Sequence, residues 1–390
     1  MKLTPVPGNR VDLLASGSEY FPALIAELEA ATAEIYLESY IFEDDVTGRA
    51  VADALGRAAQ RGVAVHVVID GFGARDFASG LGRGLAQQGV EVLVYRLEAA
   101  ALRLRRHRLR RLHRKLVVID ARVAFLGGIN IIDDMDTPGQ LPPRYDYAVR
   151  IEGPLLFDIH AAARHLANLV RWARLRRRRR HPPATPRPSL EPRGNVTAAF
   201  VIRDNVRHRR SIEDAYLAAM ASARREIIIA NAYFLPGRSF RHALAEAARS
   251  GVEVIVLLQG RVEYVLLHYA TQALYGALLK SGVRIFEYHR SFLHAKVAVV
   301  DDRWATVGSS NIDPFSLLLA REANVVVHDE AFAGRLRASL QHAIDNGATE
   351  VRSDDLRRRS MAARALSWLA YGMVRVLIGV TRYGGSEYRE

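Results

Sequence analysis

One pattern occurs twice in this sequence, and the duplication restricts the chain to folds that can be built from two like halves. Residues 112–130 read LHRKLVVIDARVAFLGGIN, and residues 293–311 read LHAKVAVVDDRWATVGSSN. His113, Lys115, Asp120, Gly127 and Asn130 recur as His294, Lys296, Asp301, Gly308 and Asn311, each 181 residues later. In both copies two short apolar runs, bounded by turn formers, predict two strands joined by a tight turn. Residues two apart on a strand point to one face, so the His and Lys of each copy share a face. The odd spacing sets each Asp at the strand end, in a supporting place. One copy alone would read as a core histidine beside a snorkelling lysine. Two matched copies favour a site assembled from both halves.

The flanking segments repeat in the same order. EIYLESYIF (34–42) matches EIIIANAYF (226–234), and GVAVHVVID (62–70) matches GVEVIVLLQ (251–259). GVEVLVY (89–95) matches GVRIFEY (282–288), and YAVRIEG has its counterpart in ANVVVHD. Unbroken apolar runs of this kind belong to strands covered on both faces. Helical spacing over 18–33, 47–61, 80–88, 155–175 and 212–225 supplies the cover. The class is therefore α/β, with two similar domains whose mixed sheets are flanked by helices. At 390 residues the chain exceeds what one core organises. The expected divisions are a first domain over 1–180, a proline-rich linker over 181–195, a second domain over 196–350, and a basic, apolar tail over 351–390.

HxKxxxxD twice, each copy followed by a Gly and an Asn, resembles the phospholipase D superfamily. ARREIIIANAYFLPG and the two motif segments are similar, more narrowly, to bacterial cardiolipin synthases of the type without N-terminal membrane spans. The likeness runs from about residue 11 to residue 345. It implies two phospholipase D-like domains related by a pseudo-twofold, with the active site at their interface. It implies phosphatidyl transfer from one phosphatidylglycerol to another, giving cardiolipin and glycerol through a covalent phosphohistidine. By the same analogy His113 is the nucleophile and His294 the acid.

The residue types suit that chemistry. One histidine can attack phosphorus while the other protonates the departing alkoxide and then deprotonates the incoming one. Lys115 and Lys296 would offset charge on the phosphoryl oxygens, and Asn130 and Asn311 would donate hydrogen bonds to them. The catalytic motifs thus comprise His113, Lys115, Asp120, His294, Lys296 and Asp301. A nucleophilic imidazole also needs an acceptor on its other nitrogen. The resemblance puts a carboxylate downstream of the second strand in that role, and Asp146 and Glu322 fill it by strand alignment. Ser309 is a further candidate, because the second copy has GSSN where the first has GGIN.

The formal charge of +13, from 55 basic and 42 acidic residues, favours an anionic partner. Arginines crowd the approach to His113 (Arg103, Arg105, Arg106, Arg108, Arg110, Arg111, Arg114) and the stretch from Arg171 to Arg180. These are expected to steer anions and to face an anionic membrane. Leu366, Leu369, Met373, Leu377 and Val380 make a helical stripe expected to lie on that membrane. The absence of cysteine excludes disulfides and thiolate catalysis. No HExxH or clustered His–carboxylate set occurs, so no metal or cofactor is expected. Pro5, Pro7, Asn9 and Asp12 interrupt any signal peptide, and no long uncharged apolar stretch predicts a membrane span. The expected setting is peripheral, on the cytoplasmic side of the cell membrane, with no obligate protein partner. The same residues leave other acceptors open: phosphatidylethanolamine, another alcohol, or water. A nuclease of the superfamily is disfavoured because the arginine runs lack interleaved aromatic platforms.

Overall fold

The computed structural model describes residues 4–96, 111–137, 139, 141–173, 186–204, 208–262, 264–313, 316, 320–358 and 360–380. The first half runs β1 (Val6–Ala15), α1 (Ser16–Glu29), β2 (Glu34–Ser39), α2 (Val46–Gln60), β3 (Ala64–Asp70), α3 (Leu81–Gln87), β4 (Glu91–Tyr95), β5 (Arg111–Leu112), β6 (Leu116–Ile119), β7 (Val123–Gly127), β8 (Tyr147–Glu152) and α4 (Leu156–Ala173). The second half runs β9 (Val196–Arg203), α5 (Ser211–Ser222), β10 (Glu226–Asn231), α6 (Arg238–Arg249), β11 (Glu253–Gln259), α7 (Val265–Lys280), β12 (Arg284–Tyr288), β13 (Lys296–Val300), β14 (Trp304–Gly308), β15 (Ala320–His328) and α8 (Glu330–Gly347). It is followed by β16 (Ala348–Glu350), α9 (Ser353–Arg358) and α10 (Met361–Val380).

The same sub-sheet is built twice. β2, β3 and β4 pair in parallel, and β6, β7 and β8 continue from β2 in antiparallel order. β10, β11 and β12 with β13, β14 and β15 repeat this pattern. What the internal repeat does not reveal is the seam. β1 pairs with both β8 and β9, and β9 pairs with β15, so one mixed sheet passes through both halves. Pro7, Gly8 and Asn9 hide β1 from any apolar alternation, and β9 follows directly on the proline-rich segment. Of that segment residues 186–195 are described, and the Arg193 amide donates to Gly8 O at 2.8 Å.

Three apolar layers follow from the alternation of side chains along these strands. Residues of α1, α2 and α3 cover one face of the first half, including Leu24, Leu55 and Leu85. Residues of α5, α6 and α7 cover the corresponding face of the second, including Met220, Leu244 and Leu274. The opposite faces of both halves share one core with α4 and α8, in which Leu166 and Leu336 are fully buried.

α10 packs along α7, burying Ser367, Ala370 and Val374. Leu366, Leu369 and Met373 stay exposed at 45%, 65% and 48%, and Leu377 at 45%. These four residues of the stripe picked out by periodicity are thus the outer face of a docked helix, and the Val380 side chain lies outside the described residues. Among the described residues no helix is long and apolar enough to cross a membrane. Two basic expectations are corrected in part. Arg171 is an ion-pair partner of Glu91, at 2.5 Å. Arg114 is buried in a bidentate pair with Glu38 at 2.7 and 2.9 Å, so it steers nothing at the surface. Arg103, Arg105, Arg106, Arg108, Arg110 and residues 174–180 lie outside the described residues.

The turns after β6 and β13 explain the motif aspartates. Asp120 and Asp301 have φ of 52° and 53°, a left-handed conformation that Asp tolerates better than most residues. The Asp120 carboxylate accepts from the amides of Thr32, Ala33 and Glu34, and that of Asp301 from Arg224, Arg225 and Glu226. Each thereby ties its hairpin to the start of β2 or β10. Burial acts to raise both carboxyl pKa values, but the amide donors outweigh it and hold both below the ordinary range. A group lowered in this way stabilises the fold above its unfolded pKa and ceases to do so as pH falls through its folded pKa. Asp301→Ala is expected to cost about 1–3 kcal/mol above roughly pH 4, with the deficit shrinking under more acid conditions. Thermal melts of the variant and parent across pH 2.5–7 measure this.

Candidate active site

Each motif histidine sits just before a hairpin strand, β6 or β13, where the chain crosses to the other half. β5 pairs in parallel with β15, and the His113 amide donates to Arg321 O at 3.0 Å. Leu293 bridges Tyr145 in the same way, and the His294 amide donates to Tyr145 O at 2.8 Å. These crossings carry each imidazole to the opposite half's carboxylate. His113 Nδ1 lies 3.0 Å from Glu322 Oε1, and His294 Nδ1 lies 2.7 Å from Asp146 Oδ2. A carboxylate only accepts, so both rings carry their proton on Nδ1 and leave the Nε2 lone pair free.

The supporting groups differ between the copies. Ser309 Oγ donates to Glu322 Oε2 at 2.5 Å, and Ser309 O also faces His113 Nδ1 at 3.2 Å. Ser309 thus contacts the carboxylate and the ring of His113 together. Its counterpart Gly128 has no side chain because Asp146 occupies that space: a Cβ there would lie 2.3 Å from Asp146 Oδ1. The shorter carboxylate goes with the glycine and the longer one with the serine.

Lys115 and Lys296 are both buried. Lys115 Nζ donates to His113 O at 2.9 Å, and Lys296 Nζ donates to His294 O and lies 3.7 Å from Asp146. Lys296 Nζ also approaches His294 Nδ1 to 2.8 Å. That nitrogen already donates to Asp146, so the contact is a close approach of two donors and not a hydrogen bond. Burial pushes Lys115 down to about 7, with Lys296 adding to the effect against the pull of Glu322. Burial and then Lys296 hold His294 down to about 3, against Asp146. Burial lowers His113 as well; Glu322 opposes it, while Lys115 and Lys296 reinforce it. Asp146 is buried yet stays below its ordinary range because Lys296 and His294 outweigh that burial.

Asn130 lines a pocket that reaches His294 and Asp146, and its Oδ1 accepts from the Ile41 amide at 3.3 Å. Asn311 is buried, with Nδ2 3.5 Å from Ser316 Oγ. Asp120 and Asp301, grouped with the catalytic motif, lie at the far ends of β6 and β13 and serve the turns instead. Two aromatic neighbours carry no sequence signal. Tyr40 meets the His113 ring edge-on at 5.0 Å and lies under Lys115 Nζ at 5.5 Å. Phe292 lies nearly parallel to the His294 ring at 6.2 Å. Neither residue has a counterpart of its kind in the other repeat. Among the described residues no group of three or more His, Asp or Glu side chains is arranged to hold a metal ion.

A family profile described as "Cardiolipin synthase, PLD-like domain" matches residues 24–137 and 216–344. Cardiolipin synthase B of Escherichia coli K12 is 42% identical over 378 residues, covering 96% of this chain and 90% of that protein. The Salmonella typhimurium protein of the same name is 40% identical over 94% of this chain. The major cardiolipin synthase of Bacillus subtilis is 31% identical over 85% of this chain and 68% of its own length. Among solved structures, phosphatidylserine synthase of Haemophilus influenzae superposes with a TM-score of 0.69 at 14% identity, covering 96% of this chain and 95% of its own. That last likeness is one of fold.

The buried lysine has a stability signature. Its folded pKa of about 7 lies below the unfolded value, so the unfolded chain binds more protons between pH 7 and about 10. Folding stability from this group therefore rises with pH across that window. Lys115→Met is expected to raise the melting temperature at pH 7, by a stability gain on the order of 4 kcal/mol, with the gain fading towards pH 10. Differential scanning calorimetry at pH 7, 8.5 and 10 checks this. A variant less stable than the parent at pH 7 would contradict the charge assignment.

Proposed function

The chain belongs to the phospholipase D-like cardiolipin synthase family, and on that premise we propose a specific course for its reaction: two phosphatidylglycerols become cardiolipin and glycerol through a phosphatidyl–histidine held between the halves. The enzyme is a phosphatidyltransferase of the phospholipase D superfamily acting on phospholipids. The observation that supports the proposed course most strongly is the exchange of partners, His113 with Glu322 and His294 with Asp146.

His113 Nε2 attacks the phosphorus of the first lipid. An N–P bond forms, the P–O bond to the glycerol headgroup breaks, and the leaving oxygen takes a proton from His294. In the free enzyme His294 holds its proton weakly, because burial and Lys296 disfavour the charged ring. A phosphodiester anion bound between Lys115 and Lys296 offsets the lysine charge, and His294 takes up a proton from water on Nε2 as the lipid binds. The hydroxyl of a second phosphatidylglycerol then gives its proton to His294 and attacks phosphorus. Its O–P bond replaces the N–P bond, His113 is freed, and His294 again carries the proton it held before the first attack, which returns to water when the product leaves. Asn130 and Asn311 steady the phosphoryl oxygens, while Glu322, Ser309 and Asp146 keep the rings aimed. The lysines supply the positive charge, and the domain divisions place one histidine and one lysine in each half.

The docking surface assigned to the membrane is the outer face of α10, with Leu366, Leu369, Met373 and Leu377 towards the lipid. Trp368 and Val376 are also exposed on this helix, at 60% and 64%. An apolar face of this kind on a basic protein suits an anionic leaflet, and the cytoplasmic one fits the charge.

His113→Ala and His294→Ala are each expected to lower cardiolipin formation from phosphatidylglycerol vesicles by at least ~10³-fold, with the parent indifferent to chelator. In His294→Ala, mass spectrometry of protein denatured at neutral pH, where the N–P bond survives, is expected to find the phosphatidyl group on the peptide of His113. An adduct on His294 in the His113→Ala protein would reverse the two roles. The triple variant Leu369→Ser, Met373→Ser, Leu377→Ser is expected to bind phosphatidylglycerol vesicles ~10–100-fold more weakly at an unchanged melting temperature. Unchanged flotation would remove α10 from the docking face.

A further inference from the structure

The repeat is broken beside the site. Gly128 N donates to Tyr147 O, and Ser309 N donates to Ala323 O, so residues 147 and 323 correspond. Three positions earlier this alignment sets Arg144 against Ala320. One half has a guanidinium where the other has a methyl group. Arg144 lines the pocket that reaches His294, together with Asn130, Asp134 and Phe292.

The setting of this arginine is unusual. Its guanidinium lies over the Phe292 ring, 5.0 Å from the centroid, and that ring is within 28° of parallel to the His294 imidazole. Nη2 donates to Asp136 O at 3.2 Å, and Nε, shielded from solvent, has no acceptor. Arg144 forms no ion pair among the described residues. An arginine held against an aromatic ring without a carboxylate is oriented at a cost, and its planar fork matches the oxygens of a phosphodiester.

The proposed reaction brings two phosphodiesters into one cleft. Lys115 and Lys296 serve the phosphorus under attack. The acceptor lipid carries a second anionic phosphodiester, separated from its attacking hydroxyl by one glycerol. Nothing in a symmetrical site would distinguish that acceptor from water or a small alcohol. Resting on the reading above, we propose that the pocket beside His294 is the acceptor headgroup subsite, in which Arg144 binds the acceptor's phosphodiester and thereby selects an anionic phospholipid. Asn130 and Asp134, on the same wall, face the glycerol of that headgroup. Asp134 is anchored there by the Gly17 amide, 2.8 Å from its carboxylate.

Two reactions separate this role from mere support of the loop through Asp136 O. Exchange of labelled glycerol into phosphatidylglycerol needs the covalent step but no second phosphate. Cardiolipin formation needs both. In phosphatidylglycerol vesicles, Arg144→Gln is expected to keep the exchange within about twofold while lowering cardiolipin formation ~10–100-fold. Arg144→Lys, which keeps the charge but not the fork, is expected to fall between the two. Equal loss of both reactions in both variants would make Arg144 a loop clamp and overturn the proposal, as would undiminished cardiolipin formation in Arg144→Gln. Parent protein that makes no cardiolipin would remove the premise and the proposal together. A normal parent with an indifferent Arg144→Gln would remove the proposal alone.

Discussion

The structure turns on two backbone crossings, at Leu112 and Leu293, that carry each motif histidine into the opposite half. Each crossing is a short parallel pairing, held by backbone amides that donate across the seam. Because of it, the acceptor on each imidazole comes from the other copy. Neither half holds an oriented imidazole by itself. The continuous sheet through β1 and β9, and the core shared with α4 and α8, keep the two crossings in register. Packing over this seam thus sets the tautomer of both rings.

The same seam forces charge together. Two lysines and two carboxylates are withdrawn from water within a few residues of one another, and burial of like charges is expensive unless partners stand close. Here the partners are only partly sufficient, which is why Lys115 and His294 hold their protons weakly. That imbalance suits a site whose missing counter-charge arrives with the substrate. In the proposed reaction an anionic phosphodiester would complete the network, so binding energy and electrostatic relief would have the same origin. The pairings of Gly128 with Asp146 and of Ser309 with Glu322 show that the copies have diverged in how the carboxylates are held while keeping the same function for them.

Much of the candidate site is legible in the chain because its members recur at a fixed offset. His113, Lys115, Asn130 and their counterparts are visible without any geometry. Asp146 and Glu322 follow from aligning the strands after each hairpin. Residues without a repeat partner of the same kind escape: Tyr40, Phe292 and Arg144 stand against Ala232, Arg111 and Ala320. They lie in connections, where side-chain direction is not fixed by strand alternation. The aspartates belong to the motif by spacing, and that same spacing sets them at the strand ends, where their carboxylates accept from backbone amides. Arg114 belongs to a basic run by composition and to the core by its pairing with Glu38.

The sequence by itself determined the doubled α/β plan, the histidines and lysines of the site, and the outward stripe of the last helix. These are encoded by period and spacing, which are local and survive in one dimension. Only the tertiary structure decided which carboxylate serves which histidine, how β1 and β9 join the halves, and where the repeat loses its symmetry. Those choices depend on which segments meet across the seam, and that is set by packing between residues far apart in the chain.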